Sequence, residues 1–206
     1  VKPDHVLRSP GVANLRLQRW WAILAIFAAC VVLAGGGDEL RELCRYEREA
    51  IASGEYWRLV TGHLVHLGVG HLWPNLAALA VIGALFTDVF RNADWWRGCL
   101  ASAAAIDMGL YLFDPEVRWY VGLSGVLHGL VAAGALALCL RREALGAVLA
   151  IGLCAKLSFE QIVGPVPFTA ASVGGPVVVA AHLYGAAGGV LAEALAHVVR
   201  RRRSRV

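Results

Sequence analysis

The chain has 206 residues, 58% of them apolar and only 17% charged, with a formal charge of +4. A soluble domain of this size carries about a quarter charged residues. The apolar residues here fall in blocks rather than at amphipathic spacing, which argues against a soluble domain and for one membrane-embedded unit. Five arginines gather in the tail 200–205, where membrane orientation accounts for them before nucleic acid does.

In chain order, residues 1–19 read as a cytoplasmic basic leader with no distinct cleavage site, so the first apolar block is expected to be a retained span. A span needs about 20 mostly apolar residues, and six stretches qualify, at about 20–36, 72–90, 98–113, 120–140, 144–163 and 176–199. The breaks between them are 38–54, Arg91-Asn92-Ala93-Asp94, Asp114-Pro115-Glu116, Arg141-Arg142-Glu143 and the Pro/Gly-rich 164–175. The expected architecture is therefore an all-α bundle of six transmembrane helices over 20–199, followed by a basic tail at 200–206.

Lysine and arginine set the orientation. The leader, the second and fourth connections and the tail hold 13 of the 19 basic residues, and six acids outweigh four arginines in the first connection. By the positive-inside rule both termini are expected in the cytoplasm. Trp20-Trp21 and Trp95-Trp96 are expected as interfacial anchors. The five cysteines form no CxxC pair and are expected to be small apolar residues facing neighbouring helices.

This topology makes the second, fourth and sixth spans run inward from the outer face. Their first turns carry His71 and Asn75, then Ser124, then His182, all within about ten ångströms of a helix start. Strongly polar side chains in a bilayer mark an internal functional site by default. Gly125 and Gly129 on one helix, and Gly185 and Gly189 on another, supply the small-residue spacing that lets helices touch. A serine hydroxyl becomes a nucleophile when a nearby base takes its proton, and histidine suits that role. The oxyanion of the tetrahedral intermediate would find donors in the Ser124 amide and in the Asn75 and His71 side chains. No acid is obviously placed behind His182, so the residues point to a dyad, with Asp107 a conceivable third member.

At these positions the sequence resembles the rhomboid family of intramembrane serine proteases. The likeness rests on Glu55-Tyr56-Trp57-Arg58, His66, His71-Leu72-Trp73-Pro74-Asn75, Gly122-Leu123-Ser124-Gly125 and Ala181-His182-Leu183-Tyr184-Gly185, in that order. The resemblance implies a Ser124–His182 dyad, an oxyanion site lined by His71 and Asn75 beside Gly122, and a first loop braced by Trp57 and Arg58. His66 would make loop hydrogen bonds, and 164–175 would be a mobile cap. Many rhomboids place a tyrosine four residues after the nucleophile; here that residue is His128, and the string from Gly122 to Gly129 is similar to the rhombosortase branch. His128 would either support His182 or satisfy a backbone group.

The branch implies a bacterial inner-membrane enzyme needing no cofactor or metal. Its partners would be the lipid bilayer and exported proteins with a C-terminal Gly-Gly motif, an apolar helix and a basic end. The acyl-enzyme would pass to water or to another amine. The Lys156-x-x-x-Glu160 pair reads equally as a structural ion pair or as a contact to a substrate tail. A metal cluster of His63, His66 and His71 is disfavoured by its spacing and by the lack of a nearby acid, and His63 is expected to face solvent. Other readings are a rhomboid protease acting on other single-span proteins, a non-catalytic client-binding relative, and a transporter, for which no internal repeat is visible.

Overall fold

The computed structural model describes residues 20–167, 171 and 173–204. The basic leader 1–19, four residues of the expected cap (168–170 and 172) and the end of the tail lie outside the described residues.

The described chain is helical apart from one small ladder. In order it forms α1 (Trp21–Gly35), α2 (Gly37–Cys44), β1 (Tyr46–Glu47), α3 (Arg48–Ala52), α4 (Arg58–Thr61), α5 (Val69–Phe86), α6 (Asn92–Phe113), β2 (Trp119–Tyr120), α7 (Ser124–Leu140), α8 (Ala144–Ile162) and α9 (Val179–Arg203). Six of these are long, and they fall on the six apolar blocks. Of the six, α5, α8 and α9 are long and apolar enough to cross a membrane, while α1 and α7 are apolar but shorter. The charges Asp94, Arg97 and Asp107 dilute α6.

Caps and turns explain where the edges moved. Asp94 accepts a hydrogen bond from the Arg91 amide at 2.9 Å, which starts α6 at Asn92 rather than near 98. Tyr120 is spent on the ladder, where it pairs with Tyr46, so α7 starts only at Ser124. The arginines at the end of α9 extend it to Arg203, as basic residues in a last helical turn do.

Between α1 and α5 lies a folded loop tied down by arginines. Arg58 is buried, ion-paired to Glu55 at 2.7 Å, and donates to the Glu42 and Arg45 carbonyls at 2.8 and 2.9 Å. Half-exposed Trp57 donates its indole N–H to the Leu43 carbonyl at 3.2 Å. The pair ties α4 back to the end of α2. Arg48 reaches across to the Leu110, Tyr111 and Asp114 carbonyls, joining this loop to the end of α6.

Helix α7 is the centre of the bundle, buried along almost its whole length and packed against α9, α6 and α8. Its contact with α9 is backbone to backbone: a Cβ on Gly185 would stand 2.0 Å from the Gly125 carbonyl oxygen, and one on Gly189 2.0 Å from that of Gly129. The periphery is apolar, with Val148, Ile151 and Ile162 on α8 65%, 70% and 83% exposed. A surface of that kind is suited to lipid rather than water.

Two expectations are corrected. Trp95 is not an interfacial anchor: it is fully buried, edge-on to Phe90 at 5.1 Å between centroids, while Trp96 beside it is exposed. Cys139 and Cys154 do not face neighbouring helices but lie exposed on α7 and α8, whereas Cys30 and Cys44 are buried.

Candidate active site

The starts of α5, α7 and α9 meet at one end of the bundle. Ser124 opens α7, and its Oγ lies 3.0 Å from His182 Nε2 on α9. The small-residue crossing of α7 and α9 begins one residue after Ser124, and this is what brings the two side chains within hydrogen-bonding distance. Both line a cavity of about 710 Å³ together with His71, Asn75, His128 and Lys156. Ala78 and Ile82 of α5 and Leu149 and Leu153 of α8 extend the cavity as an apolar slot between those two helices, and Glu116 and Arg118 lie at its polar rim.

The groups expected around an oxyanion are gathered here. Asn75 is buried and donates one Nδ2 hydrogen to the His71 carbonyl at 2.8 Å, leaving its second for the cavity. His71 Nδ1 accepts from the Leu67 amide at 3.5 Å, which leaves Nε2 as the protonated donor nitrogen of the neutral ring. Gly122, at φ +119°, makes room for that ring: a Cβ there would stand 2.7 Å from His71 Cε1 and 2.8 Å from Nε2. The Gly122 amide donates to the Gly62 carbonyl at 3.0 Å, and its carbonyl accepts from the Tyr120 hydroxyl at 2.8 Å. These bonds fix the turn that presents Ser124.

His128 contacts both members of the pair. Its Nδ1 donates to the Ser124 carbonyl at 2.7 Å, and its ring stacks on His182 with centroids 4.1 Å apart and planes 14° from parallel. His66 lies behind His71, edge to face at 4.9 Å, with one loop hydrogen bond to the Leu64 carbonyl at 3.2 Å. Burial, with His71 adjacent, pushes the His66 pKa down to about 3, so the ring is neutral.

Three expectations do not hold. An acid does stand behind His182: Glu160 Oε2 on α8 lies 2.8 Å from His182 Nδ1, and its Oε1 accepts from Lys156 Nζ at 2.6 Å. The signal for it was in the topology, because the end of the fifth helix and the start of the sixth share one level. Asp107 is not that acid. It is paired instead with His63 at 3.2 Å, and His63 is buried rather than facing solvent.

His63, His66 and His71 do not form a cluster of ligand atoms. Among the described residues the group that comes close enough is His128, Glu160 and His182, whose ligand atoms lie within 4.8 Å of one another. Both His182 nitrogens are engaged there, and lone pairs in nearly parallel stacked rings cannot converge on one ion.

A family model described as "Rhomboid domain" matches residues 53–198. The chain belongs to the rhomboid family. With its apolar helices, membership makes it a membrane protein. It is similar to "Putative rhomboid protease YdcA" of Bacillus subtilis (strain 168), 26% identical over 141 residues that cover 68% of this chain and 67% of that protein. It is also similar to "Rhomboid protease GluP" of the same organism, 28% identical over 102 residues, covering 48% of this chain and 20% of that protein. The matched region thus spans about two thirds of the first relative and a fifth of the second.

Proposed function

We propose that this chain is an intramembrane serine endopeptidase with Ser124 as nucleophile and His182 as general base. Its substrates, in this reading, are exported proteins whose C-terminal tail carries a Gly-Gly motif, an apolar helix and a basic end. The observation that carries the chemistry is the 3.0 Å contact between Ser124 Oγ and His182 Nε2 on the wall of a cavity that continues between α5 and α8. The names borne by its relatives agree with a protease.

The steps follow from the positions of the atoms. Ser124 Oγ attacks the scissile carbonyl as its proton passes to His182 Nε2. The developing oxyanion is met by the Ser124 amide at the start of α7, the free Asn75 N–H and the His71 Nε2–H. The imidazolium then protonates the leaving amine, and a second nucleophile releases the product. The apolar slot suits the helical part of a substrate, and a Gly-Gly pair above it unwinds readily into the extended form a protease needs. His128 under His182 supports the rhombosortase branch, because many rhomboids place tyrosine there. The bundle would span a bacterial inner membrane six times, with both termini cytoplasmic and the site near the outer face.

The test uses a designed client carrying such a tail. Ser124→Ala and His182→Ala are each expected to reduce cleavage by about 10³-fold or more while the protein stays folded in the membrane. Wild-type cleavage by either variant would overturn the mechanism. Replacing the client's Gly-Gly pair is expected to block processing; unchanged processing would leave a rhomboid protease acting on other single-span proteins. The mass of the mature C-terminus distinguishes hydrolysis from transfer to an amine.

A further inference from the structure

We infer that Glu160 is a positioning residue of this site, turning the serine–histidine pair into a Ser124–His182–Glu160 triad held by Lys156. The inference rests on the protease reading above and goes beyond the dyad that the family resemblance implies.

The argument is one of hydrogen accounting. The Glu160 side chain is wholly shielded from solvent, and each of its oxygens has one partner, Lys156 Nζ at 2.6 Å and His182 Nδ1 at 2.8 Å. A carboxylate oxygen can only accept, so the hydrogen of this contact must be on Nδ1. In a neutral imidazole that leaves Nε2 as the lone-pair nitrogen, and Nε2 is the atom 3.0 Å from Ser124 Oγ. Glu160 therefore selects the tautomer that can take the serine proton. The opposite tautomer would point a hydrogen at Oγ and could not act as a base.

The surroundings hold this arrangement in place. A buried carboxylate without a partner is very unfavourable. Lys156, one helical turn away, balances its charge and occupies the oxygen that His182 does not use. His128 stacks on the opposing ring and fixes its plane, so Nδ1 and Nε2 stay aimed at Glu160 and Ser124. Asp107, the other acid buried in this half of the bundle, is paired with His63 and does not compete.

During acylation the Ser124 proton moves to Nε2 as the Oγ–C bond forms, and the Nδ1 proton stays on the ring. The carboxylate neither gains nor loses a proton; it faces the imidazolium while that charge exists. When the C–N bond breaks, the Nε2 proton leaves with the amine and the starting tautomer is restored.

The experiment uses the full chain in detergent, with a fluorophosphonate that labels an activated serine and the designed helix-tailed client. Glu160→Gln is expected to slow labelling and to lower kcat by about 10²–10⁴-fold, with KM within about two-fold of wild type. Glu160→Asp is expected to recover part of the loss. The double variant E160Q/K156Q separates this role from plain charge balance: it leaves no unpaired ammonium, yet it should remain as slow as E160Q. Recovery of wild-type rates in the double variant, or wild-type rates in E160Q, would overturn the inference. In either case a Ser124→Ala variant that remains dead shows that the protease reading itself stands. Nitrogen NMR of the histidine-labelled wild-type protein needs no substitution at Glu160. Its His182 hydrogen is expected on Nδ1, and finding it on Nε2 would equally overturn the inference.

Discussion

A methyl group at position 122 would stand 2.7 Å from His71 Cε1, on a residue whose φ of +119° side chains rarely adopt. The strain alone is about 1–3 kcal/mol, and relief of the clash must move either the His71 ring or the turn that presents Ser124. Gly122→Ala is therefore expected to lower both the melting temperature in detergent and the rate of client cleavage, the latter by at least about ten-fold. Thermal unfolding followed in parallel with cleavage checks this, and an active, equally stable G122A would show that His71 has room to spare. Ser124, His182, Asn75 and His71 were legible because each is a costly polar group in an apolar block, and such groups are few. Glu160 was seen only as half of a pair with Lys156. Its partner on α9 is 22 positions away, and nothing in α8 alone says which neighbour that face of the helix meets.

The elements themselves were legible as apolar blocks, but their ends were set by caps and by β1 and β2, a ladder of two residues per strand whose pairing depends on contacts 74 positions apart at Tyr46 and Tyr120. Rotation about a helix axis was harder still. In α8 the apolar residues surround the helix, so the sequence pattern marks no inner face, and both Glu160 and exposed Cys154 were invisible as opposites. The α7–α9 crossing is the element contact on which the site depends, and its glycines did announce it. Gly189 lies seven residues beyond His182, about 10 Å along the helix, and any side chain there must displace the Gly129 backbone. Gly189→Leu is expected to destabilise the protein by about 1–3 kcal/mol or more and to separate Ser124 from His182, reducing cleavage with it. Gly152 on α8 has nothing within 4 Å of a built Cβ, so Gly152→Ala should leave the melting temperature unchanged or slightly raised. Both changes raise helix propensity, so equal losses in the two variants would mean that the loss at Gly189 does not come from close approach.

Across the whole molecule the two ends of the bundle differ in chemistry. One end holds the candidate site, the tied-down first loop and the Asp114-Pro115-Glu116 turn, exposed at Pro115 and Glu116. The other gathers Asp94 and Arg97 from the start of α6 with Glu193 and Arg200 from the end of α9, linked as Arg97–Asp94, Arg200–Glu193 and Arg200–Asp94. Beyond that cluster run Arg201, Arg202 and Arg203. In the proposed orientation this arginine-rich end lies on the cytoplasmic side, which would put the site near the outer face, where exported clients would meet it. The test begins by replacing the five cysteines with alanine and introducing single cysteines as Glu116→Cys and Arg203→Cys, both at exposed positions on opposite ends. A membrane-impermeant maleimide applied to cells with a permeable outer envelope should label E116C at once and R203C only after the membrane is opened. The reverse pattern would place the site in the cytoplasm and remove exported proteins from its reach, whatever the chemistry of Ser124. Labelling of both from outside would mean an even number of crossings between the two positions, which α7, α8 and α9 supply only if one of them fails to span.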